Sequence, residues 1–241
     1  MDPIDYINGI TTTIIIIVSM ITGLRIGLRY RKEKLRVFIF FGITWAGQVI
    51  IYYPISLSFW GIILFGQGFS IVEYLFICSF APIIVTVAAA AFSELIFKEY
   101  QNFIVGSTLI ISAISLIVFM YNTFTNTSLL GYIEGVVSLR YGPIVLLYLL
   151  TMSIMGIAMG YLFYRQSIDA PEPEVRIKGI LIWIAFILFF GGGLLDGFLP
   201  LLIINIVISR IALIFGSTMY FFGFFPPDIA LEYMRKRMAK T

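Results

Sequence analysis

The chain reads as an all-α integral membrane protein, a bundle of seven transmembrane helices with its N-terminus outside and its C-terminus in the cytoplasm. Three observations predict this. Hydrophobic residues fill 60% of the 241 positions and charged residues only 12%, with a mean hydropathy of +1.01; a soluble domain is about a quarter charged. Apolar stretches recur along the whole chain, each near the ~20 residues that carry a helix across a bilayer. Seven crossings also place fourteen of the sixteen Lys and Arg residues on one side, Arg140 and Arg210 excepted. The positive-inside rule makes that side cytoplasmic. Six or eight crossings would leave the basic C-terminal tail on the wrong side. Residues 1–225 are therefore expected to form one transmembrane domain of a multi-pass cell-membrane protein, and 226–241 a basic amphipathic cytoplasmic tail.

Span one, about Ile7–Leu24, combines Thr11–Thr13 with an isoleucine run. Such β-branched sequence favours strands in water, but lipid admits only helices or closed barrels. The opening Met1-Asp2-Pro3-Ile4-Asp5 has no basic segment, so the span is expected to persist in the mature protein. Arg25, Arg29, Arg31, Lys32, Lys34 and Arg36 end it. Span two covers about Val37–Tyr53, and the apolar connector Ile55–Ser70 reads as an interfacial hairpin or a helix extension. A re-entrant pore loop is the alternative. Span three, about Val72–Phe97, holds Pro82 and carries Glu73 and Glu94 near opposite interfaces. Its Ala88–Ala91 run permits close approach of a neighbouring backbone. Span four is about Phe103–Tyr121, and Asn122–Gly142 is the longest polar connection.

Span five, about Ile144–Tyr164, contains Gly156-x-x-x-Gly160, a helix-packing signal through which an oligomer is also conceivable. Met152, Met155 and Met159 read as core or lipid contacts before a ligand box. Span six, about Ile180–Leu199, holds Gly191-Gly192-Gly193 and then Asp196. Three glycines permit a bend or a tight crossing. Span seven runs from Leu201 to Phe225 and contains Arg210.

An arginine at that depth costs ~2.5–3.5 kcal/mol on insertion scales, so it is expected to face protein or a wet cavity. At 100° per residue, Arg210, Ser217, Tyr220, Ser209, Gly216, Asn205 and Gly223 share one arc, opposite Ile204, Ile208, Ile211, Phe215 and Phe222. Arg210 then points into the bundle, as a structural residue bonded to carbonyls, hydroxyls or a carboxylate, or as part of a ligand or switch site. Asp196 and Glu73 are the carboxylates that fall nearest. With Arg210 ~15 Å deep, pairing requires one of them to be drawn inward by a bent helix, and Gly191–Pro200 supplies such a bend for Asp196. The ligand-binding or switch candidates are Arg210, Asp196, Glu73, Ser217, Tyr220 and Asn205.

Other chemistries find little support. With no histidine the commonest base and metal ligand is missing, and Cys78 is the single cysteine. No metal site and no cofactor is expected. A retinal Schiff base needs a lysine within a span, whereas Lys98 and Lys178 sit at cytoplasmic ends. Nucleophilic catalysis lacks a base beside a hydroxyl, and no basic face for nucleic acid exists. An enzyme is the least favoured class.

The segments PEPEVRIKGILIWIAF (Pro171–Phe186), GLLDG (Gly193–Gly197), SRIALIFGSTMYFFGFFPPD (Ser209–Asp228) and SELIFKEYQN (Ser93–Asn102) together resemble a signature of an uncharacterised archaeal (Asgard-type) seven-helix membrane protein family. The layout is more remotely similar to the seven-helix input region of archaeal sensor kinases. The resemblance marks Arg176, Lys178, Asp196 and Arg210 as signature positions, and it implies sensing. Because the chain stops after the basic tail, any output is expected through a separate cytoplasmic signalling protein, met by Arg176, Lys178, Arg235 and Arg237. The preferred expectation is a receptor-like sensor in the lipid bilayer. A small transporter or channel with an anion site near Arg210, and a membrane scaffold subunit, are the alternatives.

Overall fold

The computed structural model describes residues 1–232. Among them, seven helical spans are long and apolar enough to cross a membrane: Pro3–Glu33, Val37–Phe65, Ile71–Ile96, Lys98–Thr125, Pro143–Ile168, Pro173–Phe198 and Ile203–Phe224. The multi-pass helical bundle expected from hydropathy is thus the fold. The first span comprises α1 (Pro3–Leu28) and a short α2 (Tyr30–Glu33). The second comprises α3 (Val37–Gly47), a 3-10 turn at Ile50–Tyr52, and α4 (Tyr53–Phe65). The third is α5 (Ile71–Cys78) followed by α6 (Ala81–Ile96), and the fourth is α7 (Gln101–Thr125). After a β-hairpin, β1 (Gly131–Glu134) with β2 (Ser138–Tyr141), come α8 (Pro143–Ile168), α9 (Pro173–Phe198) and α10 (Ile203–Phe224). The tail positions 233–241, with Arg235 and Arg237, lie outside the described residues.

Two expectations about chain path change. The connector after Tyr53 is the helix-extension alternative and no pore loop: Pro54 occupies the first turn of α4, where a missing N–H costs nothing. The second span therefore ends at Phe65. The polar connection 122–142 is not all loop. Gly131–Glu134 pairs antiparallel with Ser138–Tyr141, and Gly135 turns the chain at φ 74. The hairpin packs on the bundle's end, where the Val136 N–H donates to Asp5 Oδ1 and Tyr74 donates to the Val137 carbonyl at 2.7 Å.

Helix α1 turns the soluble-protein pattern inside out. Its buried stripe is Asp5, Asn8, Thr12, Ile15, Ser19, Thr22 and Ile26, at three- and four-residue intervals that trace one helical face. Ile10, Ile14, Ile17, Ile21 and Leu24 are exposed instead. That distribution suits a lipid surround, where apolar side chains lose nothing by facing outward and polar ones need partners within the protein. Helix α10 follows the same rule and the predicted wheel: Ser209, Arg210, Gly216, Ser217, Tyr220 and Gly223 are buried, while Ile204, Ile208, Ile211 and Phe215 are exposed.

Span three, which holds Pro82, is broken just before it, between α5 and α6. Of the bend or tight crossing that the three glycines allow, the crossing is present: α9 is helical without a break through them, and Gly192 packs against α10. A Cβ on Gly192 would lie 3.1 Å from the Ser209 carbonyl oxygen, and one on Gly216 would lie 2.8 Å from the Phe189 nitrogen. Gly191 faces open space. Gly156 and Gly160 are likewise occupied within the chain, with Phe190 and Phe186 seated against them, so this pair is not a free oligomerisation face.

These contacts separate the glycines by role. Gly216→Ala is expected to lower the thermal midpoint in detergent, because backbone atoms cannot yield to the new methyl. Gly191→Ala should raise stability by up to ~1 kcal/mol through helix propensity alone. Equal behaviour of the two variants would contradict the close α9–α10 crossing.

Candidate functional site

Arg210 is 2% exposed, and everything around it comes from a different element. Its Nη1 lies 2.7 Å from Asp196 Oδ2 on α9. Its Nη2 donates to Asn8 Oδ1 on α1 at 2.7 Å. Its guanidinium carbon sits 4.8 Å from the centre of the Tyr52 ring, in the turn between α3 and α4. Such a cation over a ring face is worth about 2 kcal/mol or more when desolvated.

A second set of bonds holds these partners in place. The Asn8 amide donates to Ser138 Oγ in β2 at 2.8 Å, and Thr12 Oγ1 donates to Asn8 Oδ1 at 3.3 Å. Ser209 Oγ donates to Asp196 Oδ1 at 3.3 Å. Arg140 donates to the Leu199 carbonyl, fastening the hairpin to the α9–α10 connection. A small void of about 20 Å³ lies among Asn8, Glu134, Ser138, Tyr141, Asp196 and Arg210, with room for about one water. The Tyr141 hydroxyl borders it. Burial pushes its pKa well above the ordinary value, with Tyr52 and Asp196 adding to the rise, so it stays a neutral hydroxyl.

Asp196 is thus the carboxylate that meets Arg210, and no bent helix is needed. The crossing register explains this. Gly192 lies against Ala212 and Gly216 against Phe189. Continuing that antiparallel register toward the loop brings Asp196 level with Ser209, because α10 overhangs the end of α9.

The other candidates stand elsewhere. Glu73 caps its own helix, accepting from the Ser70 N–H at 2.7 Å and the Ser70 hydroxyl at 2.8 Å. Ser217 pairs with Ser19 at 3.1 Å. Tyr220 stacks on Trp45 with ring centres 3.4 Å apart. Asn205 donates to the Pro200 carbonyl. A helical wheel gives a face and not a level, and Ser217 and Tyr220 lie ~10 and ~15 Å along the axis from Arg210. Arg176 and Lys178 are half-buried, the first donating to the Ala170 carbonyl and the second paired with Glu174. Asn8, Tyr52 and Ser138 were not among the sequence candidates. A polar residue on the buried stripe of α1 is the one signal that pointed to Asn8.

Beside the ion pair, on the other side of Tyr52, lies a cavity of about 340 Å³. Its walls come from α3, α5, α6, α7, β2, α8 and α9. Ala88 and Ala89 of the Ala88–Ala91 run face it, while Ala91 is fully buried. Met152, Met155 and Met159 also line it. The opening follows from helix pairing: α7 packs on α5 and α6, α8 packs on α9, and α7 meets α8 through the Phe119–Tyr148 ring contact at 5.3 Å. Tyr52 and Tyr141 border both the cavity and the ion-pair cluster.

Family models, curated proteins and solved structures were each compared with the chain, and none matches.

Breaking a buried ion pair from one side leaves an uncompensated charge and costs about 3–5 kcal/mol, whereas removing both partners can be neutral. Asp196→Asn and Arg210→Met are each expected to lower the unfolding midpoint strongly. The double variant Asp196→Leu/Arg210→Met should recover most of that loss. An additive double variant would show that the two side chains act independently.

Proposed function

We propose that this chain is a seven-helix receptor-like sensor of the cell membrane, with no catalytic role, that passes its signal to a separate cytoplasmic protein. The observation that carries the reading is the placement of an open internal cavity directly against a buried charged clamp. The clamp joins α1, α9, α10 and the hairpin into one unit. Across the cavity stands α7, which meets α8 through the Phe119–Tyr148 ring contact, and in this reading that separation is the one that changes. An occupant or a lipid state that favours one separation would shift the population between two packings. The resemblance to archaeal seven-helix proteins and sensor-kinase input regions supports the same reading. Under it the basic end of the bundle is the cytoplasmic one, where Arg29 donates to the Phe224 carbonyl and so secures the C-terminus of α10.

The transporter alternative has less behind it. Arg210 is already neutralised by Asp196 and covered by Tyr52, and the void beside it has room for about one water. An anion-selective site needs an uncommitted cation. The scaffold alternative relied on Gly156 and Gly160, which Phe190 and Phe186 occupy.

The test uses spin labels at Ile117 on α7 and Leu147 on α8, both exposed, in a Cys78→Ser background. Distance distributions are recorded in nanodiscs of several lipid compositions. The sensor reading expects two populations whose ratio moves with lipid and with Arg210→Gln. A single distribution, unchanged by either, would sink it.

A further inference from the structure

The large cavity is long and narrow. On α8 its wall runs without a gap from Val145 to Met159, and on α6 from Ala81 to Phe92. At 1.5 Å per residue those walls extend ~21 and ~17 Å along the helix axes. A volume of about 340 Å³ drawn out over such a length makes a slot parallel to the helices. Lipid chains fill the ~30 Å hydrocarbon core of a bilayer in the same direction.

The wall offers little to a polar group. No Lys, Arg, Asp or Glu lines it. The hydroxyls of Thr44, Tyr52, Tyr141 and Tyr148 and the amide nitrogen of Gln48 belong to lining residues, but protein covers these atoms and they are not presented to the space. The hydroxyls of Ser79 and Thr108 donate to the carbonyls of Leu75 and Ile104. What faces the slot is mostly alanine, isoleucine, phenylalanine and methionine. Water needs about two to four polar partners to settle in a cavity, and apolar cavities stay dry. A headgroup would give up its hydration and gain no bonds in return. An unfilled slot would cost its lining dispersion contacts. A lipid chain merely exchanges one hydrocarbon surround for another, and Met152, Met155 and Met159 can adapt to its shape.

We infer that the slot holds one hydrocarbon chain of a bilayer lipid, lying lengthwise between α6 and α8 against Ala88, Met152 and Met155. The headgroup takes no part in recognition. This names the occupant of the sensor reading and rests on that reading for its purpose, while occupancy itself is measured separately. It also states what such a sensor registers: the length and stiffness of the surrounding chains.

The experiment takes the full chain in nanodiscs, with Trp60→Phe and Trp183→Phe so that Trp45 alone reports. Trp45 stands at the slot and, at 1% exposed, is out of contact with the lipid around the bundle. The discs are made of phosphatidylcholine with plain or dibrominated chains, because bromine quenches an indole only at close range. A loss of Trp45 fluorescence of twofold or more is expected in the brominated discs. Ala88→Leu should relieve part of the quenching and Ala88→Phe most of it, since both fill the slot. Ile117→Phe, on the exposed face of α7, should leave it unchanged. No quenching, or folded Ala88 variants quenched as strongly as the parent, would overturn the assignment. Quenching by added dibromostearate and not by the brominated phospholipid would refute a bilayer lipid as the source. Spin-label distances recorded in the same discs keep the two claims apart. Quenching with distances that ignore lipid leaves the chain in its slot and removes the sensor role; distances that move without quenching do the reverse.

Discussion

A guanidinium shut off from bulk water must find an anion and acceptors inside the protein, and one end of this bundle is arranged around that demand. Arg210 meets Asp196 across the α9–α10 crossing, Asn8 across from α1, and the face of Tyr52 from the second span. Asn8 and Asp196 are each held by further bonds, so satisfying one charge ties spans one, six and seven to the β-hairpin through Ser138. The attraction is strong only because the surroundings are poorly polarisable, and the same surroundings make an unpaired charge expensive. The close crossing is a precondition. With side chains in place of Gly192 and Gly216, the backbones of α9 and α10 would separate, and the ion pair would lengthen with them.

The same logic orders the rest of the bundle. Polar residues of α1 form a buried column, Asn8 and Thr12 at one end and Ser19 with Ser217 lower down, while the isoleucines of that helix face outward. In lipid the apolar face gains little by burial, so hydrogen bonds, small-residue contacts and aromatic stacking specify which helices meet. The Trp45–Tyr220 stack does for the middle of the bundle what the ion pair does for its end. Span four directs such devices at span three, with Ser112 against Thr86 and Thr123 against Ser79, and span five directs its glycines and Tyr164 at span six. The cavity lies where spans four and five part, short of the Phe119–Tyr148 contact.

Much of this was legible in the residues before any coordinates. Hydropathy and length placed seven spans, and the helical period put Arg210 on the inward face. Asp196 was one of two carboxylates placed near it, with pairing made conditional on a bent helix; the antiparallel register of α9 and α10 brings the two together instead. What was not legible has a common cause. Asn8 lies 202 positions from Arg210 along the chain, and nothing local says which helices will be neighbours. Gly131–Tyr141 alternates over too few residues to stand out from a polar loop. Seven apolar spans are alike in hydropathy whether they enclose a void or not, so Ala88, Met152 and Met155 read as packing residues until the space between them is seen.

That void and the charged clamp are separated by one aromatic ring. Tyr52 lines the cavity and carries Arg210 on its face, and Tyr141 borders the cavity and the small polar void. The clamp fastens α1, α9, α10 and the hairpin to one charge, and Phe92 holds α6 against Phe41 and Phe186 at 5.1 and 5.5 Å. Between α7 and α8 stands the Phe119–Tyr148 ring contact at 5.3 Å. Under the proposed sensor reading, a change of packing therefore falls between those two helices.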